Sequence, residues 1–237
     1  AGLMATSTPV PDAATARKSR YLKLLLLAAV AGAVYCWWAY QANDPAFGRF
    51  EGEVVTKWIT DDLEMQLLED FYYVDPSGKR WTAPTGSVIN GASIPSMFWS
   101  VIGGPFEGRF RKASVLHDAA CDEQAEAWQD AHQMFYDACR CSRVGVGKAQ
   151  TMYWAVYHFG PRWRQVTEQR KENGRIITVI RTISEERVQP DATIAAKADR
   201  YFAKNQFTPK EIEACTVEQV EAEVAKWDAA QDSSENN

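Results

Sequence analysis

The feature that most constrains the fold is an apolar run at residues 21–40, in which Lys23 is the only charged residue. A helix of this length rises about 30 Å, which matches the hydrocarbon core of a bilayer. Trp37, Trp38 and Tyr40 lie at one end, and aromatic side chains favour the membrane interface. The run therefore predicts a transmembrane helix in contact with the lipid bilayer.

The residues before the run predict its orientation. Residues 1–20 predict an extended arm that ends in the cations Arg17, Lys18 and Arg20. By the positive-inside rule, these cations keep the N-terminus on the cytoplasmic or matrix side and the following domain on the opposite side. A signal peptide is the alternative, although the run is longer than a usual signal-peptide core. The chain starts with Ala1, as after removal of a targeting peptide, although a start left by cloning would look the same.

The chain after the apolar run predicts an α+β domain at residues 47–160. Asn43-Asp44-Pro45 breaks the preceding helix. Segments with strand character predict a small antiparallel sheet, with strands at 53–60, 69–74 and 80–82 and a turn at 75–78. Apolar periodicity predicts three helices packed with this sheet, at 109–122, 126–141 and 148–159.

Residues 161–237 predict a helical C-terminal arm. A charged stretch at 162–172 precedes a turn and then a β-branched segment at 175–183, which suits a strand. Three helices are predicted after it, at 191–204, from Thr208-Pro209, and from Thr216, where Thr216 and Gln219 form a capping box. Such an arm would suit a subunit that wraps its neighbours, and a plain extension is the equal alternative.

The composition excludes some classes of function. The net charge of −5 and the pI of about 5.4 give no basic footprint for nucleic acid. The cysteines form neither a disulfide framework nor a CxxC metal motif, and they lie at positions 36, 121, 139, 141 and 215. We expect no cofactor. The nine tryptophans fit a membrane belt, a packing interface or a well-filled core.

A second feature is the stretch from Asn90 to Asp118. It contains Asn-Gly-Ala-Ser-Ile-Pro, the aromatic pair Phe98-Trp99, a Gly-Gly-Pro turn and, on the first predicted helix, Ser-Val-Leu-His-Asp. These motifs, in this order, resemble the phage and bacterial domain-of-unknown-function 1353 family over about residues 47–160. The family pattern continues with Ala-Asp-x-x-Phe on the next helix. The resemblance implies the fold of this domain and no particular activity.

Two positions depart from the family pattern. Asn90 stands where the pattern has Asp before Gly-Ala-Ser. His132 stands where the pattern has Asp in Ala-Asp-x-x-Phe. The resemblance therefore does not carry over any chemistry that needs those two carboxylates.

The predicted helix pair brings two histidines together. If the first two helices are antiparallel about a turn near residues 123–125, residues whose numbers sum to about 249 face each other. His117 then lies opposite His132, and Cys121 lies one turn from His117 on the same face. The same register separates Cys121 from Cys139, so we expect no disulfide between them.

One hypothesis for this cluster is a hydrolase similar to the secreted phospholipases A2. His117 would be the general base for a water, Asp118 would help to bind calcium, and Ser93 would lie in the adjoining loop. The carboxylate that orients the histidine would have to come from His132, which has none, or from Asp130, which is offset along the helix. No glycine-rich calcium loop is evident in the sequence.

Two other hypotheses for this cluster do not involve catalysis. The first is a metal site of His117, Cys121 and His132, with Asp118 or Asp130 as a further ligand, since this spacing suits zinc. Such pairs are more often packed or hydrogen-bonded than metallated, so no metal is expected. The second is structural, with His117 and Asp118 tying the motif loop to the helix pair by hydrogen bonds. The two lost carboxylates favour this structural role and catalytic inactivity.

Together these features predict a single-pass membrane protein that is an accessory, non-catalytic subunit of a large assembly and contacts its other subunits. A mitochondrial inner membrane with its respiratory chain is the favoured setting, and a bacterial inner membrane is the alternative. The competing hypothesis is a membrane-tethered hydrolase acting on phospholipid or cell wall. An enzyme needs an open cleft at His117, Asp118 and Ser93, whereas a subunit buries that face.

Overall fold

The structure is a computed structural model, which describes residues 22–34, 43–59, 64–91, 93–104, 108–172, 174–185 and 190–235. The chain divides into two compact units, Ala1–Ala42 and Asn43–Asn237.

The first unit contains helix α1 at residues 22–34. Across the described ranges, no helix combines the length and the apolar character that crossing a membrane requires. The transmembrane helix predicted for residues 21–40 is therefore wrong, and the predicted bilayer contact and orientation lose their basis with it. The N-terminal arm, Tyr21 and residues 35–40 lie outside the described residues.

The second unit begins with two small antiparallel sheets. Their strands are β1 (Arg49–Glu51), β2 (Thr56–Trp58), β3 (Met65–Leu67), β4 (Phe71–Val74), β5 (Arg80–Ala83) and β6 (Val88–Ile89). One sheet has the order β1-β4-β5 and the other has the order β2-β3-β6. Phe71 and Tyr73 alternate into the core from β4, as Trp81 and Ala83 do from β5. The predicted strands at 69–74 and 80–82 are confirmed, whereas β1, β3 and β6 were not predicted.

Seven further helices follow α1 in the described chain. They are α2 (Trp99–Ile102), α3 (Arg111–Glu123), α4 (Trp128–Cys141), α5 (Val146–Phe159), α6 (Ala192–Lys204), α7 (Pro209–Ala214) and α8 (Val217–Glu235). The three helices predicted for the α+β domain are confirmed as α3, α4 and α5. Every residue of α3 from Ala113 to Ala119 is buried, so chemistry on this part of the helix lies inside the domain.

The C-terminal helices pack on α5 of the same chain. Trp154 on α5 donates its indole N–H to the carbonyl oxygen of Cys215 at 2.7 Å. Gln150 accepts from the amide of Phe207 at 2.6 Å and donates to the carbonyl oxygen of Asn205 at 3.0 Å. Phe202 on α6 is fully buried beside them. The predicted helices are confirmed, and they complete the core of this domain.

Between α5 and α6 lies a two-stranded antiparallel ribbon, β7 (Arg162–Glu172) and β8 (Arg175–Glu185). The strand predicted at 175–183 is confirmed as β8. The charged stretch at 162–172 was not predicted as a strand, because its charged and polar residues mask the alternation. Trp163 anchors the base of the ribbon, since its side chain is buried and its indole N–H donates to the carbonyl oxygen of Glu126 at 2.7 Å.

The contact of α5 with α6 depends on Gly147, and this contact generates a prediction. A Cβ at Gly147 would lie 2.9 Å from the Cα of Ala203, whereas a Cβ at Gly145, at the start of the same helix, would meet nothing within 4 Å. We expect Gly147→Ser to reduce the free energy of unfolding by about 1 to 3 kcal/mol, because the backbone of α6 must shift. Gly145→Ser should be neutral or stabilising, since serine is a good helix N-cap.

Chemical denaturation of the two variants and the parent chain measures this difference. Equal stability of the two serine variants would contradict the close approach of the two helices.

Candidate functional site

The two motif histidines meet in the core between α3 and α4. The Nε2 atom of His117 lies 2.8 Å from the Nδ1 atom of His132, and neither side chain has exposed surface. The predicted juxtaposition of His117 and His132 is therefore confirmed. The ring of Phe135 packs against His117 in a tilted arrangement, with 4.7 Å between centroids.

A backbone carbonyl determines which nitrogen of His132 carries a proton. The Nε2 atom of His132 lies 3.0 Å from the carbonyl oxygen of Pro161. Because a carbonyl only accepts, Nε2 of His132 is the donor, and a neutral ring then has a lone pair on Nδ1. His117 therefore donates its Nε2 proton to Nδ1 of His132. The result is a chain of hydrogen bonds from α3 through α4 to Pro161, just after α5.

Cys121 lies against the same histidine. Its Sγ atom is 3.7 Å from Nε2 and 3.8 Å from Nδ1 of His117. Burial, reinforced by the nearby carboxylates of Asp118 and Asp122, raises the pKa of the Cys121 thiol. The thiolate is the nucleophilic form of cysteine, so a neutral thiol here is a weak nucleophile. The described cysteines, Cys139 among them, are free thiols, as expected for Cys121 and Cys139.

Asp118 holds the motif loop. Its Oδ2 atom accepts hydrogen bonds from the backbone amides of Asn90 at 3.0 Å and Gly91 at 2.9 Å. The hydroxyl of Ser93 donates to Oδ1 at 3.5 Å. Ser93 has a positive φ of 50°, which is uncommon for a residue with a Cβ. The buried carboxylate therefore fixes an unusual loop conformation against α3.

The outer side of this loop lines an open cleft of about 480 Å³. Asn90, Gly91, Ser93 and Trp99 are part of its wall. His117 and Asp118 do not line this cleft, and their exposed fractions are 0% and 3%. The predicted catalytic set is thus divided, because Ser93 faces the cleft while the His-Asp pair lies behind the loop. The catalytic roles of these three residues remain predictions.

Neither of the two candidates for the orienting carboxylate of a phospholipase-like site provides one at His117. His132 occupies the position opposite His117. Asp130, the other candidate, lines a different cleft together with Asp75 and Asp137. Asp130 is therefore also separate from the His117, Cys121 and His132 cluster, in which the three ligand atoms lie within 4.8 Å of one another.

Sequence reasoning missed the groups that surround His132. The carbonyl oxygen of Pro161 and the rings of Trp128 and Trp163 contact it, with ring centroids 5.5 Å and 6.4 Å away. In the sequence, Gly160-Pro161 indicated only where the preceding helix ends. A backbone carbonyl has no sequence signature, so only the packing of α5 against α4 reveals this partner.

Comparison with known proteins matches the central part of the chain to a family model. The model of the family described as "Protein of unknown function (DUF1353)" matches residues 65–156, a range that includes the motif loop and both histidines. Two proteins of Sinorhizobium fredii are similar to the chain. The uncharacterized protein y4jT is 44% identical over 124 residues, which are 52% of this chain and 37% of that protein. The uncharacterized protein y4iH is 39% identical over 106 residues, which are 44% of each chain.

The matched region spans less than half the length of each of these curated relatives. No solved structure matches the chain. The relatives are bacterial, and the described helices include no membrane span. The expected mitochondrial membrane and respiratory-chain setting is therefore corrected. The bacterial alternative agrees with the source of the relatives, although its membrane part depended on the same wrong span.

The role of Asp118 generates a prediction. Asp118→Asn keeps an oxygen that can accept from the two backbone amides but removes the negative charge from both hydrogen bonds. We expect a loss of about 1 to 3 kcal/mol in the free energy of unfolding, because hydrogen bonds to a charged group are stronger than those to a neutral amide by about this magnitude. Asp122→Asn, at an exposed position on the same helix, is the matched control and should change stability by less than about 0.5 kcal/mol.

Chemical denaturation gives the two free energies, and amide hydrogen exchange at Asn90 and Gly91 reports the loop directly. Unchanged exchange at both amides in Asp118→Asn would show that the carboxylate does not hold the loop.

Proposed function

We propose, from the premise that residues 65–156 belong to the DUF1353 family, that this chain is a non-catalytic subunit of a protein assembly. In this proposal the His-Asp motif stabilises the domain, and the ribbon β7–β8 contacts a neighbouring subunit. The observation that carries the proposal is the burial of His117, Asp118 and His132, whose polar atoms bond to other groups of the same domain.

Burial argues against a reaction at the motif. A general base must come within hydrogen-bond reach of the proton that it removes, directly or through one water. His117 has no exposed surface and already contacts His132. Asp118 binds the backbone of the loop that separates it from the cleft. A substrate in the cleft would therefore meet the backbone of that loop before it met either side chain.

The ribbon supports a role in assembly. Its strands pair over 11 residues each, which gives a length of about 36 Å. Beyond Trp163, no ribbon residue is buried. A two-stranded hairpin on its own is only marginally stable in water. A partner that covers one face of the ribbon would supply the missing hydrophobic burial.

The two faces of the ribbon differ in charge. The pairing register puts all five arginines and all three glutamates on one face. The other face, which we call the isoleucine face, has a single charge. Its members are Trp163 and Ser184 at the base, followed by Gln165, Thr167, Gln169, Lys171, Ile176, Thr178, Ile180 and Thr182.

The isoleucine face suits a second copy of this chain as its partner. Ile176 and Ile180 are 71% and 65% exposed there. Like charges across an interface are costly, and Lys171 is the only charge that a second copy would bring to a symmetric contact. Two isoleucine faces can therefore pack together in a two-fold arrangement, with the arginine-rich faces in solvent.

Self-association of the full chain tests this role. The double variant Ile176→Ser/Ile180→Ser should weaken the dimer at least about tenfold, because each isoleucine would otherwise bury apolar surface. The control Val55→Ser/Leu68→Ser changes exposed apolar residues outside the ribbon and should leave the dimer unchanged. Sedimentation velocity measures both, and added salt should have little effect because the face is nearly uncharged. A parent chain that is monomeric, or a dimer insensitive to the ribbon variant, would contradict the proposed contact.

An activity assay tests the non-catalytic part separately. We expect the purified full chain not to hydrolyse phospholipid vesicles or peptidoglycan, with calcium or zinc present, because His117 and Asp118 lie behind the motif loop. Hydrolysis that persists in Asp122→Asn and disappears in His117→Gln would overturn this expectation and establish the hydrolase instead.

A further inference from the structure

We propose that His117, Cys121 and His132 form a binding site for a divalent transition metal ion, with Zn²⁺ as the ion that best fits the ligands. The three side chains offer two imidazole nitrogens and one sulfur, and these atoms lie within 4.8 Å of one another. All three residues are buried. This proposal does not depend on the ribbon or on self-association.

Two of the three distances between ligand atoms can be compared with those of a tetrahedral zinc site. Typical bonds of about 2.05 Å to nitrogen and 2.3 Å to sulfur put two nitrogens about 3.3 Å apart and a nitrogen and a sulfur about 3.6 Å apart. The Sγ atom of Cys121 lies 3.7 Å from Nε2 of His117. The two imidazole nitrogens lie 2.8 Å apart, so the rings would have to separate by about 0.5 Å to admit the ion.

The surroundings of His132 are those of a metal ligand. Histidine ligands usually donate the other ring N–H to a carboxylate or a carbonyl, which fixes the tautomer and the ring orientation. His132 donates Nε2–H to the carbonyl oxygen of Pro161 at 3.0 Å, and this leaves the Nδ1 lone pair directed toward His117. The rings of Trp128 and Trp163 lie beside His132 and limit the movement of the imidazole.

The ligands also come from a rigid framework. His117 and Cys121 are four residues apart on α3, so they share one face of the helix. His132 lies on α4, and an ion bound to all three would crosslink the two helices. Site precision is greater on helices than on loops.

Metal binding requires a balanced rearrangement of protons. The Cys121 thiol releases its proton to solvent and binds as a thiolate. The proton on Nε2 of His117 moves to Nδ1, so that Nε2 can bind the ion while the imidazole stays neutral. His132 keeps its proton on Nε2 and binds through Nδ1. One proton is therefore released for each ion bound.

The first measurement is metal binding by the full chain after treatment with a chelator. We expect one Zn²⁺ retained per chain after dialysis and a higher unfolding temperature in the presence of the ion, since binding to the native state stabilises it. Substitution with Co²⁺ should give the ligand-field bands of a tetrahedral site and a charge-transfer band from thiolate to cobalt. Substoichiometric metal that dialysis removes, or cobalt spectra without the thiolate band, would overturn the proposal.

Matched variants assign the ligands. Cys121→Ser should abolish the charge-transfer band and raise the Kd for Zn²⁺ at least about tenfold, and His132→Gln should weaken binding comparably. Cys139→Ser replaces another buried cysteine and should keep the band and the affinity, which controls for the packing cost of the substitution. Near-ultraviolet circular dichroism checks that each variant is folded. Equal zinc affinity in folded Cys121→Ser and Cys139→Ser would exclude Cys121 as a ligand and overturn the site.

Discussion

The structure of the motif region depends on one buried charge. Asp118 has almost no exposed surface and takes the amides of Asn90 and Gly91 as hydrogen-bond donors. A buried carboxylate is costly unless donors replace its water shell, so the loop must stay in the conformation that supplies them. That conformation forms one wall of the cleft, whereas His117 packs against Phe135 and His132 in the core. Asp118 therefore shapes the cleft through its hydrogen bonds to the loop, although neither Asp118 nor His117 lines the cleft.

The histidine pair extends this arrangement through the core. His117 links α3 to His132 on α4, and His132 links α4 to the carbonyl oxygen of Pro161 after α5. The ribbon begins at the next residue, and buried Trp163 anchors it. The two proposed functions of this chain thus involve different parts of the domain. The interior holds the polar cluster and the proposed metal ligands, and the ribbon presents the surface proposed for a second copy.

Local patterns in the sequence predicted most of the helical structure. Apolar periodicity predicted α3, α4 and α5, and the capping residues Thr208 and Thr216 predicted the starts of α7 and α8, where both capping boxes form. The same reasoning failed for β3 and β6, which contain only three and two residues. Segments this short have no detectable alternation. The membrane span predicted from the apolar run was wrong, since none of the described helices is both long and apolar enough to cross a bilayer.

The sequence by itself determined the helices, their caps, the likeness to the DUF1353 family and the pairing of His117 with His132. These features depend on residues near one another in the chain, where the geometry of a helix or a short turn limits the outcome. Only the tertiary structure decided that His132 bonds to Pro161, that Asp118 holds the motif loop, and that α6 to α8 complete the core around α5. Those contacts join residues 28 to 61 positions apart, and packing of the whole domain selects them.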